Sequence, residues 1–530
     1  MAFVLKSESE EQCNGLHLNG QDSLVQPLLT DMYQITMAYS YWKAGMHDDH
    51  AVFDLYFRRN PFQGEFTIFA GLEDCLRFVE NFRYSASDLE YLRKVLPPET
   101  EERFFDYLSS LDCNQVRIEA IPEGSVVFPK IPLITITGPI GVCQLLETTL
   151  LNLVNYASLA AGKMQLLEFG LRRAQGPNGG LSASKYCYIG GFDGTSNLLA
   201  GKLYGIPVKG TQAHSFICAF GGEEDLKVRM IRVGDKEVDL YELAKEKLSW
   251  LMQSINWGVV RSELSQGELA SFVAYAIAFP NGFLALIDTY DVLRSGVINF
   301  LAVSLALHEL GFRALGVRID SGDLSYLSKE IRDRFHKTII SLNEQKHEID
   351  AYGVGTHLVT CQKQPALGCV YKLVSMNGKA KIKLSQDVSK ITIPCKKMCF
   401  RIGDEDFTAF EREEDGEKME RDQHVQANRG DSYQGSILCR HPFEEGKRCL
   451  VSRECKIVRL HKVYWDKGYS KEKLPSLEQI KEHVNESLSV LRSDHKRYLN
   501  PTPYKVSVSS ILFDFLHEQW LKNAPICQLE

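Results

Sequence analysis

Two acids, Asp288 and Asp320, each close a short apolar run, and each is followed by a polar turn. The runs read Phe283-Leu284-Ala285-Leu286-Ile287 before Asp288-Thr289, and Ala314-Leu315-Gly316-Val317-Arg318-Ile319 before Asp320-Ser321-Gly322-Asp323. A third run, Ile349-Asp350-Ala351-Tyr352, enters Gly353-Val354-Gly355-Thr356. That loop is either a cradle of backbone N–H groups for a phosphate or a plain tight turn. The acids read as an active-site rim or as caps of the helices that follow, and one residue can serve both roles.

Such runs must be positioned by something. A short apolar run bounded by Gly and leading into a long amphipathic stretch is the pattern of a buried parallel strand with its crossover helix. Asp288 and Asp320 then sit at strand C-termini, where ligands bind in α/β barrels and open parallel sheets. Similar cycles are read at Lys185 to Ile189 into Gly190–Asn197, and at Ile206-Pro207-Val208 into Lys209-Gly210-Thr211. Repeated βα units argue for a parallel barrel or a doubly wound sheet.

Residues 1–26 read as a disordered tail, without the apolar core of a secretory signal. Residues 27–155 mix helices (28–43, 71–82, and 144–159 leading onward) with strand-like stretches at 51–58, 116–118, 125–128 and 133–136, giving an α+β domain. Residues 156–375 hold the βα cycles. Residues 376–530 form a β-rich and helical extension: a charged run at 404–422 reads as a solvated loop, 455–463 as a strand, and Ser476-Leu477-Glu478-Gln479 as a capping box.

The chain has 530 residues, 44% of them hydrophobic, enough for two or three domains with substantial cores. A net charge of −7 gives no basic footprint for nucleic acid or an anionic membrane, and no run is read as long enough to span a bilayer. The 14 cysteines are scattered; Cys395 and Cys399 come closest to a metal pair, but no second pair follows at a zinc-like distance. Free thiols in a reducing cytosol are expected.

The segments Leu28 to Gln34, Glu168-Phe169-Gly170-Leu171-Arg172-Arg173-Ala174-Gln175-Gly176, Gly210-Thr211-Gln212-Ala213-His214-Ser215, Arg318 to Asp323 and Gly353 to Thr356 resemble, in this order, the nicotinate phosphoribosyltransferases. The resemblance implies a type II phosphoribosyltransferase fold, an irregular α/β barrel. It also implies the joining of nicotinate to phosphoribosyl pyrophosphate in salvage NAD biosynthesis, with ATP as co-substrate, Mg²⁺ or Mn²⁺ as metal, and a cytosolic homodimer. His214 matches the family's phosphorylated histidine; by its residue type alone it reads sooner as a loop histidine satisfied by hydrogen bonds, and the surrounding Gly-Thr-x-Ala-His-Ser reverses that. Tyr33 and Phe169 match the aromatics around the pyridine ring, and Arg172 and Arg318 match positions near the ring substituent and phosphates. By residue type alone, Phe169 fits a core and Arg172-Arg173 a surface pair. Asp288 and Asp320 match acids near the metal and ribose, Ser321, Gly322 and Asp323 their turn, and Thr211, Gly355 and Thr356 phosphate-loop positions.

The chain departs from that family pattern in three places. It is shortened after Ala161 and after Lys337, where a helix segment and a barrel strand are expected, and it carries Cys395 where the family usually has Gly. Three readings follow: an active enzyme, the same fold acting on nicotinamide or quinolinate, and a catalytically silent or regulatory isoform, as an alternative transcript would produce.

Overall fold

In a computed structural model the described residues are 24–160, 166–339, 352–354, 356–361, 364–385, 387–403, 407–413, 436–444, 446–452, 455–497 and 500–523. The chain divides into two compact units: residues 1–208 with 353–530, and residues 209–352.

The first unit is built on a seven-stranded sheet with antiparallel pairing throughout, in the order Lys379–Ala380, Cys369–Met376, His50–Phe57, Ile134–Pro139, Arg117–Ala120, Lys462–Asp466, Tyr469–Ser470. The strand-like stretches expected near 51–58, 116–118 and 133–136 are its centre. Seven of the eight residues of His50–Phe57 are buried, and Leu72–Glu80 lays its apolar stripe of Leu72, Cys75, Leu76 and Val79 into the same core. Gly71, at φ +99°, admits that helix where a Cβ would meet the Leu153 carbonyl at 2.5 Å.

A six-stranded sheet, ordered Arg448–Ser452, Ser436–Arg440, Lys505–Ser509, Phe407–Arg412, Lys397–Ile402, Ile457–Arg459, forms the C-terminal layer. Phe407–Arg412 lies inside the charged run read as a solvated loop, which corrects that reading over those residues. Its apolar and small residues, Phe407 to Phe410, pair in parallel with Lys505–Val508, and pairing outweighs the charge of the flanks. The capping box is present: the Gln479 N–H donates to Ser476 Oγ at 3.3 Å and the Ser476 N–H to Gln479 Oε1 at 2.8 Å, opening the helix Leu477–Val490. Cys395 stands at φ +66°, in the left-handed region where Gly is at ease.

Also in this unit, Leu166–Glu168 pairs in parallel with Gly194–Thr195, and Thr195 makes a parallel bridge to Val208. Lys185 to Ile189 is not a strand: it is the last part of the helix Gly176–Ile189. The five residues from Lys185 to Ile189 are too few to show a diagnostic period, and the helix signal lies upstream, in Pro177 at its first turn.

In the second unit Leu284–Leu286 pairs in parallel with Gly316–Arg318, Leu284 opposite Gly316 and Leu286 opposite Arg318. The crossover is the helix Val297–Glu309, as the sequence pattern predicts. With Leu240–Ser254 and Gln266–Ala278 it encloses a core of Leu248, Leu251, Phe272, Phe283, Ile287 and Val303. Val292–Glu309 is long and apolar enough to cross a bilayer, which corrects the expectation that no run is, but 61% of it is buried inside the unit and it serves as a core helix.

Candidate active site

Both strand-end acids lie where the sequence pattern places them, two residues beyond their strands. Asp288, its side chain 1% exposed, accepts the Asp320 backbone N–H at 2.8 Å and the Ser321 hydroxyl at 2.7 Å through Oδ2. Its Oδ1 is buried without a hydrogen-bond partner among the described residues. Asp320 is half exposed. Gly322, at φ +83°, turns the chain, and Asp323 caps the next helix, Oδ1 accepting the Tyr326 N–H at 3.0 Å. Capping is the role the structure gives Asp323.

His214 opens the short helix His214–Cys218. Its Nδ1 shares a 3.1 Å hydrogen bond with the Thr289 hydroxyl, and its Nε2 lies 3.9 Å from Asp288 Oδ1 and 3.8 Å from Asp320 Oδ2. The imidazole is 41% exposed, so it is held at one nitrogen and open toward the acids. Arg318 fixes the other side of the cluster. One guanidinium nitrogen donates to Thr211 Oγ1 at 3.3 Å and to the Gln212 carbonyl at 3.1 Å, and the other pairs with Asp320 at 3.2 Å. Gln212 is tied in turn to the Leu284 carbonyl at 3.2 Å. Thr211, His214, Asp288, Arg318, Asp320 and Ser321 are thus one connected group within the second unit.

The first unit carries the remaining candidates. Tyr33 is exposed on the helix Met32–Lys43, Phe169 is half-buried, and Arg172 is exposed on the 3₁₀ turn Leu171–Arg173. Thr356 opens the short helix Thr356–Thr360, and Gly355 lies outside the described residues.

Two residues escaped the sequence reading. Thr289, the partner of His214, directly follows an acid already singled out. Glu168 ends a strand just as Asp288 and Asp320 follow theirs, and that shared signal could have found it. Its buried carboxylate accepts the Gly170 N–H, the Ser184 hydroxyl at 2.8 Å and the Thr195 hydroxyl at 2.6 Å, fixing the start of the loop that bears Phe169 and Arg172.

Family profiles of the nicotinate phosphoribosyltransferase N-terminal domain and C-terminal domain match residues 28–155 and 422–516. A nicotinate phosphoribosyltransferase of Caenorhabditis elegans is 61% identical over 572 aligned positions, covering 100% of both chains. The chain belongs to the nicotinate phosphoribosyltransferase family. The human family member is 43% identical over 523 residues, covering 92% of this chain and 95% of its own. The crystal structure of human nicotinic acid phosphoribosyltransferase matches with a TM-score of 0.77 at 39% identity, over 92% of this chain and 99% of that one, which places the fold among the type II enzymes. Because the worm alignment spans 572 positions and this chain has 530 residues, 42 or more of those positions hold no residue of this chain. That is the direction predicted by the shortened stretches after Ala161 and Lys337; residues 161–165 and 340–351 lie outside the described residues.

Proposed function

We propose that the chain forms nicotinate mononucleotide and pyrophosphate from nicotinate and phosphoribosyl pyrophosphate, coupled to ATP hydrolysis through a phosphoryl group carried on His214. The observation that carries the reading is the group of His214, Asp288, Asp320 and Arg318 at the ends of two parallel strands. In this reading Nδ1–H donates its hydrogen bond to the Thr289 hydroxyl oxygen, which leaves the Nε2 lone pair as nucleophile. Nε2 attacks the terminal phosphorus of ATP, ADP departs, and water later removes the phosphoryl group as phosphate. In the transfer step the pyridine nitrogen bonds the anomeric carbon as pyrophosphate leaves, through a cation-like ribose that Asp320 and Asp288 favour electrostatically.

The residues present fit Mg²⁺ or Mn²⁺. Asp288 offers an unpartnered carboxylate oxygen, Asp320 a second carboxylate, and a lone pair facing both at 3.8–3.9 Å is unfavourable without a cation. The metal would neutralise phosphate charge there. Ser321 and Gly322 hold the Asp320 turn, and Thr211, Gly355 and Thr356 supply phosphate contacts. Tyr33 and Phe169 take the pyridine ring and Arg172 its carboxylate, a planar fork suited to a planar anion. The enzyme acts as a cytosolic homodimer.

The test is incubation with γ-labelled ATP: label is expected on the wild-type chain and absent from His214→Ala. Label retained by the variant would move the acceptor elsewhere.

A further inference from the structure

Adjacent residues in the first turn of the helix Gln266–Ala278 grip the two elements that bring His214 and Asp288 together. Gly267 lies against the exit of the His214 helix, so close that a Cβ would stand 2.0 Å from the Phe220 carbonyl oxygen. Glu268, fully buried, accepts the Ser295 hydroxyl at 2.5 Å and the Asn299 amide at 3.1 Å on one carboxylate oxygen. Ser295 belongs to the π-turn Val292–Gly296, which leads from the Asp288 loop into the crossover helix. Its neighbour Gly296 lies against the strand exit, where a Cβ would meet the Ile287 carbonyl at 2.0 Å, one residue before Asp288.

The grip is reinforced at the helix start. The Ser265 N–H donates to Ser295 Oγ at 2.9 Å, and Asn299 donates to the Ser265 carbonyl at 3.0 Å. Contacts therefore run from His214 through Phe220, Gly267, Glu268, Ser295, Gly296 and Ile287 to Asp288. Burying a carboxyl group in an otherwise apolar core is costly, and an apolar side chain would pack there more cheaply. π-turns also recur at functional sites.

We propose that Glu268 is a positioning residue for phosphoryl transfer, its bonds to Ser295 and Asn299 setting the placement of Asp288 and Thr289 against His214. Burial pushes its carboxyl up to about 7, so the neutral acid is accessible near neutrality. The inference rests on the His214 reading above.

The test compares wild type, Glu268→Gln, Glu268→Ala, Ser295→Ala and His214→Ala in the full chain, measuring γ-label retained per chain and ATP hydrolysed per mononucleotide formed. Misplacing the acceptor by a fraction of an ångström is expected to lower label on Glu268→Ala and to raise ATP used per product by about tenfold. Glu268→Gln, which keeps an acceptor for Ser295, should restore most of the coupling. A variant that merely lost folded protein would lower both rates and leave their ratio unchanged. Wild-type label and ratio in folded Glu268→Ala would overturn the proposal; if that variant does not fold, Ser295→Ala decides by the same criterion. Label surviving in His214→Ala would instead defeat the phosphohistidine reading.

Discussion

The carboxylate of Asp288 accepts the backbone N–H of Asp320 at 2.8 Å, so the two strand-end acids are mechanically coupled. Removing the first loosens the loop that carries the second. Asp288→Ala takes the acceptor from the Asp320 N–H and the Ser321 hydroxyl, two hydrogen bonds each worth about 0.5–1.5 kcal/mol net where water can replace the acceptor. Asp320→Asn keeps the backbone bond; it should raise the Michaelis constant for phosphoribosyl pyrophosphate about tenfold and leave that for nicotinate unchanged. The double variant should lose less than the sum of the singles, and additive losses in a double-mutant cycle would show that the bond transmits nothing.

His214→Ala should abolish the dependence of product yield on ATP while sparing slow transfer from phosphoribosyl pyrophosphate, because the variant loses the phosphoryl acceptor and keeps Asp288 and Asp320. Product formation with and without ATP measures this. A variant still stimulated by ATP would contradict the assignment.

Nicotinate should be preferred to nicotinamide by a wide margin in kcat/KM, and Arg172→Gln should narrow that margin by about tenfold or more, since a carboxylate loses its charged fork while an amide loses little. Arg318 is already committed to Thr211, Gln212 and Asp320, so the prediction is made for Arg172. An unchanged ratio in Arg172→Gln would remove it from the acceptor site.

Glu268 sets a pH dependence of stability. Its carboxyl is raised from 4.5 to about 7 by burial, so the folded chain holds the proton more tightly than the unfolded chain does. Its contribution is present in full below about 4.5 and is lost as pH rises through 7, at roughly 1.4 kcal/mol per pH unit within that window. Glu268→Gln cannot ionise. Its melting temperature relative to wild type should therefore rise between pH 5 and pH 7.5, and a constant difference would show that Glu268 titrates normally.

Cys395→Gly should cost far less stability than Cys399→Gly. The first relieves a left-handed conformation worth about 1–2 kcal/mol of strain, which offsets the lost thiol burial. The second sits fully buried in the strand Lys397–Ile402 and only leaves a hole. Denaturant midpoints of the two variants give the comparison.

What the sequence disclosed was local. Asp288 and Asp320 were legible because an apolar run, an acid and a turn are contiguous, and the capping box at Ser476 was legible for the same reason. Lys185 to Ile189 misled because a run of five residues is too short to carry a period. Phe407–Arg412 was hidden by charged neighbours, although its pairing partner lies near residue 505. Nothing local in the sequence marks Glu268, since its partners Ser295 and Asn299 stand 27 and 31 residues away and only the fold brings them near. Cys395 was noticed as a departure from the family, and its positive φ supplies the reason a Gly belongs there.

The π-turn Val292–Gly296 makes the length of this segment as consequential as its composition. The wide turn already holds one residue more than an α-turn, so a further insertion there would rotate everything after it by roughly 100°. Ser295 and Asn299 would swing away from Glu268 together, and Gly296 would give up its place beside Ile287 to a residue with a Cβ. Insertions between Asp291 and Val297 should therefore be excluded from functional chains even where individual substitutions are tolerated.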